Sequence, residues 1–424
     1  MSQPTPISGF PELLPAQRNA ELAVIGQLTR TFELHGFANI ETRAVEPLDR
    51  LVKGGEIDKE VYVLRRQQAD AEAGDSGLGL HYDLTVPFAR YVLENAGKLD
   101  FPFRRYQIQR AWRGERPQEG RFREFTQADI DIVGRDVLPF HYDVEVARVM
   151  SEALAGLPLP TLRLQVNNRK LIEGFYRGIE TEKPATVMRI IDKLDKLPRG
   201  TVASLLVDAG LSDSQVQRCL ALAEIRANDG SFVERVRKLG VQHELLDIGL
   251  SELAEVIKGC ASFAHDTFSS EADLSVARGL DYYTCTVFET RMSGFESLGS
   301  VCSGGRYDAL ATDGSTTFPG VGISFGVSRT LIPLFQRDFL TSTRSVPSVV
   351  LVALVDESSR DRSEAVAGRL RARGIPTEVA AGAHKYGRQI RFAERRGIPF
   401  VWFPAETPRD VASSPGAPAS GQVK

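Results

Sequence analysis

No stretch of this 424-residue chain holds about 18 consecutive apolar residues, the length a helix needs to cross a bilayer, so no membrane span is expected. The N-terminus, MSQPTPISGFPELLP, has neither a basic n-region nor an apolar h-region, which argues against a secretory signal and makes the cytoplasm the expected location. Cysteine is scarce. Cys219, Cys260, Cys285 and Cys302 stand far apart without a CxxC, so no thiolate metal or redox motif is readable, and reduced, mostly buried thiols are expected. His35, His81, His141, His243, His265 and His384 are equally scattered, HExxH is missing, and no direct zinc site is expected. GxxxxGK[ST] is also missing, which excludes P-loop nucleotide binding. An excess of one charge is lacking too: 52 Lys and Arg face 55 Asp and Glu, a net charge of -3. That excludes a chain coated in positive charge but leaves room for a local basic face. The composition that remains, 42% hydrophobic and 25% charged, is that of an ordinary globular chain long enough for two or three domains.

Leu22, Ile25, Leu28 and Phe32, at spacings of three and four, predict an amphipathic helix from Pro15 that ends at Gly36. FANIETRAVEPLDRL reads as strand and turn, and DKEVYVLRR as a second strand. A loop rich in Gly and Ala, Ala71 to Gly79, leads to LHYDLTVPFARYV, where Asp83 and Thr85 flank a leucine ahead of Val86-Pro87. A carboxylate and a hydroxyl so placed suit either an ammonium group or the cap of a helix starting near Pro87. Phe103 to Gly134 reads as strand, loop, strand, with Tyr106, Ile108 and Trp112 alternating, Pro117 and Gly120 marking the loop, and alternation resuming at Phe122. Arg113, Glu115, Arg116, Arg121 and Arg123 crowd this hairpin. Solvated hairpins look like this, and so do polyphosphate sites, which need planar bidentate donors. Gln127, Asp129 and Asp131 follow at intervals of two, so a strand sends all three to one face.

An amphipathic helix is expected over Val137 to Leu157, then a strand and a turn in LPLPTLRLQVNNRKLI, then an almost wholly helical stretch from Arg169 to about His265. RGLDYYTCTVFE, Arg278 to Glu289, reads as a turn feeding a strand, with Arg278 and Asp281 at its mouth and Tyr283, Cys285 and Val287 on one face. CSGGRYDAL, Cys302 to Leu310, sets a Gly-Gly pair beside Arg306, a place where backbone approaches a neighbour or ligand closely. Phe318 to Phe335 predicts a strand and a helix. Its Gly320, Gly322, Gly326 spacing is not the GxGxxG of a dinucleotide site, and no preceding parallel unit is evident. Past a polar linker at Thr341 to Pro347, strands and helices alternate as in a small parallel α/β domain, with Arg388, Arg391 and Arg395 on one helix face near Lys385. The tail from Ala405 is expected to be a mobile loop.

Arg278 to Glu289 with Cys302 to Leu310 closely resembles the two signature segments of histidyl-tRNA synthetases. WRGERPQEGRFREF and FPGVGISFGVSRTLIPLF resemble the second and third motifs of class II synthetases; FANIETRAVEPLDRL resembles the first, which builds the family's dimer interface. In that first motif Arg43 stands where proline is usual, and Pro47 lies four residues later. The resemblance spans essentially the whole chain. It implies an α+β catalytic domain with an antiparallel sheet in two parts, 1–168 and 266–340, a helical insertion at 169–265, and a small C-terminal α/β domain at 347–424. That last domain resembles the class IIa anticodon-binding domain and is expected to be incomplete at its C-terminal end.

By the same resemblance, histidine is bound by Asp83, Thr85, Arg113, Gln127, Asp131, Arg278, Tyr282 and Tyr283. The acid and threonine follow the eukaryotic and archaeal kind; Gln127 lies near the amino acid's α-amino and carboxylate end, and Asp131 accepts from the imidazole. Residue spacing alone does not say which of Asp129 and Asp131 reaches which atom. ATP is implied to meet Arg113 at its α-phosphate, Glu115 and Phe125 at the adenine, Arg121 at a further phosphate, and Arg329 at the adenine and γ-phosphate. Arg113 and Arg278 are the implied catalytic groups, magnesium sits with the pyrophosphate, and the insertion helps clamp the acceptor arm. Lys385, Arg388, Arg391 and Arg395 become a candidate RNA face. The expected reaction joins histidine to tRNA for histidine in a homodimer. Two other readings exist: a paralogue that regulates ATP phosphoribosyltransferase, and a sensor of uncharged tRNA. The C-terminal domain and signature segments speak against the first, and Arg113, Arg278 and Arg329 against the second.

Overall fold

The computed structural model describes residues 5–52, 59–65, 77–277 and 283–404, with backbone alone at 309–310 and 422–423. The chain divides into two compact units, one of 1–11 with 24–336 and the other of 12–23 with 337–424.

The larger unit opens with α1 (Pro15–Leu34), which enters it at Val24. Its buried row is Val24, Leu28 and Phe32, spaced by four, while Leu22 remains 48% exposed instead of joining the stripe. After β1 (Ala38–Asn39) come β2 (Val45–Pro47), α2 (Leu48–Leu51), β3 (Val63–Leu64) and β4 (Leu78–Leu80). β2, β4 and β3 form a small antiparallel sheet, so the second expected strand shortens to two described residues. α3 (Thr85–Asn95) leads to β5 (Phe103–Trp112) and β6 (Glu124–Val133), the expected hairpin. α4 (His141–Ala155) starts four residues later than expected, because Pro139 disfavours helical backbone at the residue before it.

β7 (Leu162–Asn168) runs directly into α5 (Arg169–Gly178), whose first turn is capped by the Asn168 side chain accepting from the N–H groups of Lys170 and Leu171. α6 (Pro184–Ile191), α7 (Arg199–Asp208), α8 (Asp213–Ala223), β8 (Arg226–Ala227), α9 (Ser231–Arg237) and α10 (Glu244–Cys260) follow. The helical stretch therefore contains one short strand, and it clusters into the same unit as the sheet. β9 (Phe268–Asp273), β10 (Thr286–Met292), β11 (Cys302–Thr312), β12 (Thr317–Gly326) and α11 (Val327–Gln336) complete the unit. Its nine-stranded sheet has the order β1-β5-β6-β12-β11-β10-β7-β9-β8. The six strands from β5 to β7 are all antiparallel to their neighbours, as expected; β1 on β5 and β9 on β7 are parallel.

Register places Gln107, Asp129, Ser324, Ser303, Glu289, Gln165 and Glu271 in a single row across seven strands. The adjacent row holds Ile130, Ile323, Phe288 and Val166, all buried. Period-2 alternation thus gives the sheet one polar and one apolar face, with α4 and α10 packed against its strands. Arg306, next to the Gly-Gly pair, is a strut and not a free cation. Its Nε donates to Asp143 at 3.1 Å and its Nη2 to the Leu138 carbonyl at 2.7 Å, while the Thr286 hydroxyl donates to the other Asp143 oxygen at 2.6 Å. Burial pushes the Asp143 carboxyl up to about 6 against the pull of Arg306. Arg306→Ala strands that carboxylate and should lower unfolding free energy by about 3–5 kcal/mol, read as a shift in the urea midpoint; a change under about 0.5 kcal/mol would be that of an ordinary surface residue.

The smaller unit holds residues 15–23 of α1 together with β13 (Val350–Val352), α12 (Arg360–Ala372), β14 (Thr377–Val379), α13 (Tyr386–Arg396), β15 (Phe400–Phe403) and β16 (Gln422–Val423). β14, β13 and β15 are parallel, as the alternation of elements predicts, around a core of Leu351, Ala353, Leu354, Ala393 and Val401. The tail read as a loop departs from that at its end: β16 pairs antiparallel with β15, and residues 405–421 lie outside the described residues.

Candidate active site

The polar face of the larger sheet carries a pocket of about 390 Å³ lined by Tyr82, Asp83, Thr85, Asp129, Asp131, Tyr283, Ser303, Tyr307, Gly322 and Ser324 among others. Asp83 sits just before α3 and its Oδ1 accepts from the Val86 N–H at 3.0 Å, so the carboxylate caps the helix and lines the pocket at once. Burial raises its pKa, against that hydrogen bond and the positive charge of Arg113. Gln127 donates from Nε2 to the Ser324 hydroxyl at 2.7 Å, which leaves Oε1 buried with no partner among the described residues. An amide so committed offers an acceptor, which suits an ammonium group better than a carboxylate.

Asp131 is held from two sides: Arg105 Nη2 lies 2.6 Å from Oδ2, and the Tyr307 hydroxyl donates to Oδ1 at 2.7 Å. Arg105 is fully buried, with its guanidinium 4.3 Å over the Phe88 ring and its Nη1 on Gln107 at 3.2 Å. Burial raises the Asp131 pKa and Arg105 opposes it. The Tyr283 phenol is also pushed up, first by burial and then by Asp131, Asp129 and Asp83. Glycines make this geometry possible. A Cβ on Gly322 would fall 1.9 Å from Asp131 Oδ1, one on Gly304 2.1 Å from the Gly322 carbonyl, and one on Gly305 2.6 Å from the Tyr283 ring. The Gly-Gly pair is therefore a close approach of backbone to neighbours, as its sequence suggested.

On the β5–β6 hairpin, Arg113 donates from Nε to the Tyr82 carbonyl at 2.9 Å and its guanidinium stands 5.1 Å from the Phe125 ring centre. That links the hairpin to the pocket wall at Tyr82 and Asp83. Glu115 lies 3.4 Å from Arg121, next to the tight turn at Gly120, whose φ of +70° places it in the left-handed region. Arg329, at the start of α11, donates to the Leu298 carbonyl, and its Cγ would be 3.5 Å from a Cβ on Gly120, so it stands beside the same turn. Arg278 and Tyr282 lie outside the described residues, and the strand expected from Tyr282 begins at Thr286. Lys385, Arg388, Arg391 and Arg395 are exposed at α13, because Gln389 and Ala393 turn the opposite face inward.

Three groups escaped the sequence reading: Arg105, Tyr307 and Ser324. Arg105 is hidden in the FRRYQ run among surface arginines, and only the pairing of Arg105 with Asp131 across β5 and β6 reveals its place. For Ser324 a signal existed, a single polar residue in a strand otherwise made, from Phe318 to Gly326, of Gly, Pro and apolar residues.

A concave site with clustered carboxylates at one end and an arginine-aromatic pair at the other suits an amino acid beside a nucleotide. Residues 9–330 match the protein family described as histidyl-tRNA synthetase. The chain belongs to the histidyl-tRNA synthetase family. Its curated relatives in that family include the histidine–tRNA ligases of Cutibacterium acnes (strain DSM 16379 / KPA171202), 54% identical over 97% of this chain and 94% of the relative, and of Micrococcus luteus, 56% identical over 95% and 90%. Among solved structures, the crystal structure of the histidyl-tRNA synthetase from Nostoc sp. PCC 7120 is similar with a TM-score of 0.85 at 32% identity, covering 97% of this chain and 93% of that one. The likeness to histidyl-tRNA synthetases thus takes in both compact units, and the mixed sheet with its helices is the catalytic fold of class II synthetases.

Proposed function

We propose that the pocket on the polar sheet face is where histidine is activated, with ATP laid along the β5–β6 hairpin beside it. As a histidine–tRNA ligase the chain joins histidine to tRNA at the expense of ATP. A histidine carboxylate oxygen attacks the α-phosphorus, the bond to the bridging oxygen breaks, and pyrophosphate leaves. The 3′-terminal ribose hydroxyl of the tRNA then attacks the carbonyl carbon of the adenylate, and AMP leaves. No protein nucleophile is needed; positioning and charge stabilisation suffice. The observation that carries the assignment is that Asp83, Thr85 and Asp131 line one pocket, with Gln127 on the same strand as Asp131, while Arg113, which touches the pocket wall at Tyr82, stacks toward Phe125.

In this reading Asp83, Thr85 and Gln127 hold the α-ammonium, Tyr283 and the Asp131 end of β6 take the imidazole, and Tyr282 lies near. Arg113 and Arg278 meet the α-phosphate, Glu115 and Phe125 the adenine, Arg121 a further phosphate, and Arg329 the adenine and γ-phosphate. Magnesium would come with ATP, held by its phosphates and by water. When bound there it would neutralise charge on the leaving pyrophosphate. A homodimer and a cytoplasmic location complete the proposal.

The deciding experiment is exchange of labelled pyrophosphate into ATP with each amino acid in turn. Histidine alone should drive it; exchange with another amino acid, or none with any, would overturn the pocket assignment. For the C-terminal unit the expected result is separable. Replacing Arg388, Arg391 and Arg395 by Glu should raise the KM for tRNA by roughly tenfold or more and flatten its salt dependence, while pyrophosphate exchange, which needs no tRNA, changes little. Unaltered charging kinetics would make α13 a merely solvated face.

A further inference from the structure

We infer that Arg169 is a positioning residue for histidine recognition, its guanidinium holding the Tyr283 carbonyl so that the Tyr283 phenol is presented to the pocket at a fixed place. This rests on the reading of the pocket as the histidine site. Tyr283 precedes β10, which begins at Thr286, so its carbonyl lies outside the sheet ladder. Arg169, the first residue of α5, supplies the donor: its Nη1 donates to that carbonyl at 3.1 Å. The backbone N–H of Arg169 also donates to the Cys285 carbonyl at 2.8 Å, so one residue holds the chain on both sides of Thr284.

The two residues before Arg169 hold the same segment. Asn167 is fully buried and donates from Nδ2 to the Val276 carbonyl at 2.8 Å, on the other flank. Asn168 caps α5 with its side-chain oxygen, and its Nδ2 donates to Glu252 of α10 at 2.9 Å and to the Cys285 sulfur at 3.5 Å. The Cys285 thiol donates to the same Glu252 oxygen at 3.1 Å. Burial first, then Asp143 and Glu252, push that thiol up to about 12, so it keeps its proton and remains a donor. Three successive residues at the end of β7 and the start of α5 therefore tie down the described flanks of the signature segment, and among these bonds the one at Tyr283 belongs to Arg169.

The guanidinium is itself oriented. Arg169 Nε stands 3.5 Å from Glu173 Oε2, one turn along α5, and the other Glu173 oxygen is paired with Arg177. A planar fork held at one edge by a carboxylate directs its remaining N–H groups along a fixed line, and a charged donor bonds a carbonyl more strongly than a neutral one. The Tyr283 ring is confined by backbone, since a Cβ on Gly305 would fall 2.6 Å from it. Ring and carbonyl are thus gripped separately, and releasing the carbonyl leaves the phenol held on one side alone. Arg169 lines a separate surface groove with Glu173 and Arg177 and not the histidine pocket, so its effect on histidine passes through Tyr283.

The test measures the KM for histidine and for ATP by pyrophosphate exchange in the full chain, for the wild type, Arg169→Ala, Tyr283→Phe and the variant carrying both changes. Arg169→Ala should raise the histidine KM about tenfold, as for the loss of one charge-assisted hydrogen bond, with kcat and the ATP KM within about twofold of wild type. In the Tyr283→Phe background the same change should move the histidine KM by less than about twofold, because the hydroxyl that Arg169 places is gone. A residue that only stabilised the fold would give the same factor in both backgrounds. If Arg169→Ala does not fold, Arg169→Met, which keeps the apolar stem, takes its place in the cycle. With histidine-dependent exchange present in the wild type, an unchanged histidine KM in Arg169→Ala, or an equal factor in the two backgrounds, overturns the inference alone. A wild type with no histidine-dependent exchange overturns the pocket assignment itself.

Discussion

Replacing Arg113 by alanine is expected to slow histidine-dependent pyrophosphate exchange by about 10²–10³-fold, the usual cost of removing one preorganised donor to a developing charge. The side chain is oriented before any ligand arrives, with Nε on the Tyr82 carbonyl at 2.9 Å and the guanidinium against Phe125. Those contacts fix the plane of the fork and therefore the direction of its remaining N–H groups. Arg113→Lys keeps the charge but neither the fork nor the stacking, so it should recover only a minor part of the rate. The loss should appear in kcat with histidine and ATP both saturating, and thermal unfolding should shift little, because Arg113 is only partly buried. An alanine variant within threefold of wild type would remove Arg113 from the reaction.

Gly322→Ala is expected to be nearly as damaging, through a different cause. The added methyl would sit 1.9 Å from Asp131 Oδ1 and 2.8 Å from the Ile130 carbonyl, closer than any real contact. Asp131 is pinned by a fully buried arginine and by Tyr307, so it cannot swing aside without breaking one of those bonds, and the strand itself is flanked by β6 and β11. Overpacking of this kind costs about 1–3 kcal/mol of stability, and losing the fixed carboxylate should raise the KM for histidine by at least tenfold while the KM for ATP moves less. A variant with normal histidine KM would mean that the pocket wall yields, and that Asp131 has no part in holding the substrate.

Much of the site was legible because its parts are local. Arg113, Glu115, Arg121 and Phe125 belong to one hairpin, where alternation and a Pro-Gly loop identify strand, turn and strand without knowledge of the remainder of the fold. Gln127, Asp129 and Asp131 share a face for the same reason. Asp83 showed the limit of that approach: helix cap and pocket acid looked like alternatives in the sequence, and in the structure one carboxylate does both. What misled was also local. Leu22 satisfies a helical apolar pattern yet remains exposed, the start of α4 was set by Pro139 and not by the pattern of apolar residues, and the end of the tail reads as loop but adds a strand to the smaller sheet.

The amino-acid sequence by itself determined most of the elements, the shared face of Gln127, Asp129 and Asp131, the motifs and the family, because periodicity and short-range spacing are properties of the chain alone. Only the tertiary structure decided which strands lie side by side. That choice put Arg105 on Asp131, Ser324 between Gln127 and Asp129, and Gly322 beneath a carboxylate. These contacts depend on register between residues as many as 197 positions apart, and the free energy that selects a register comes from burying whole faces together, which no local stretch of sequence contains.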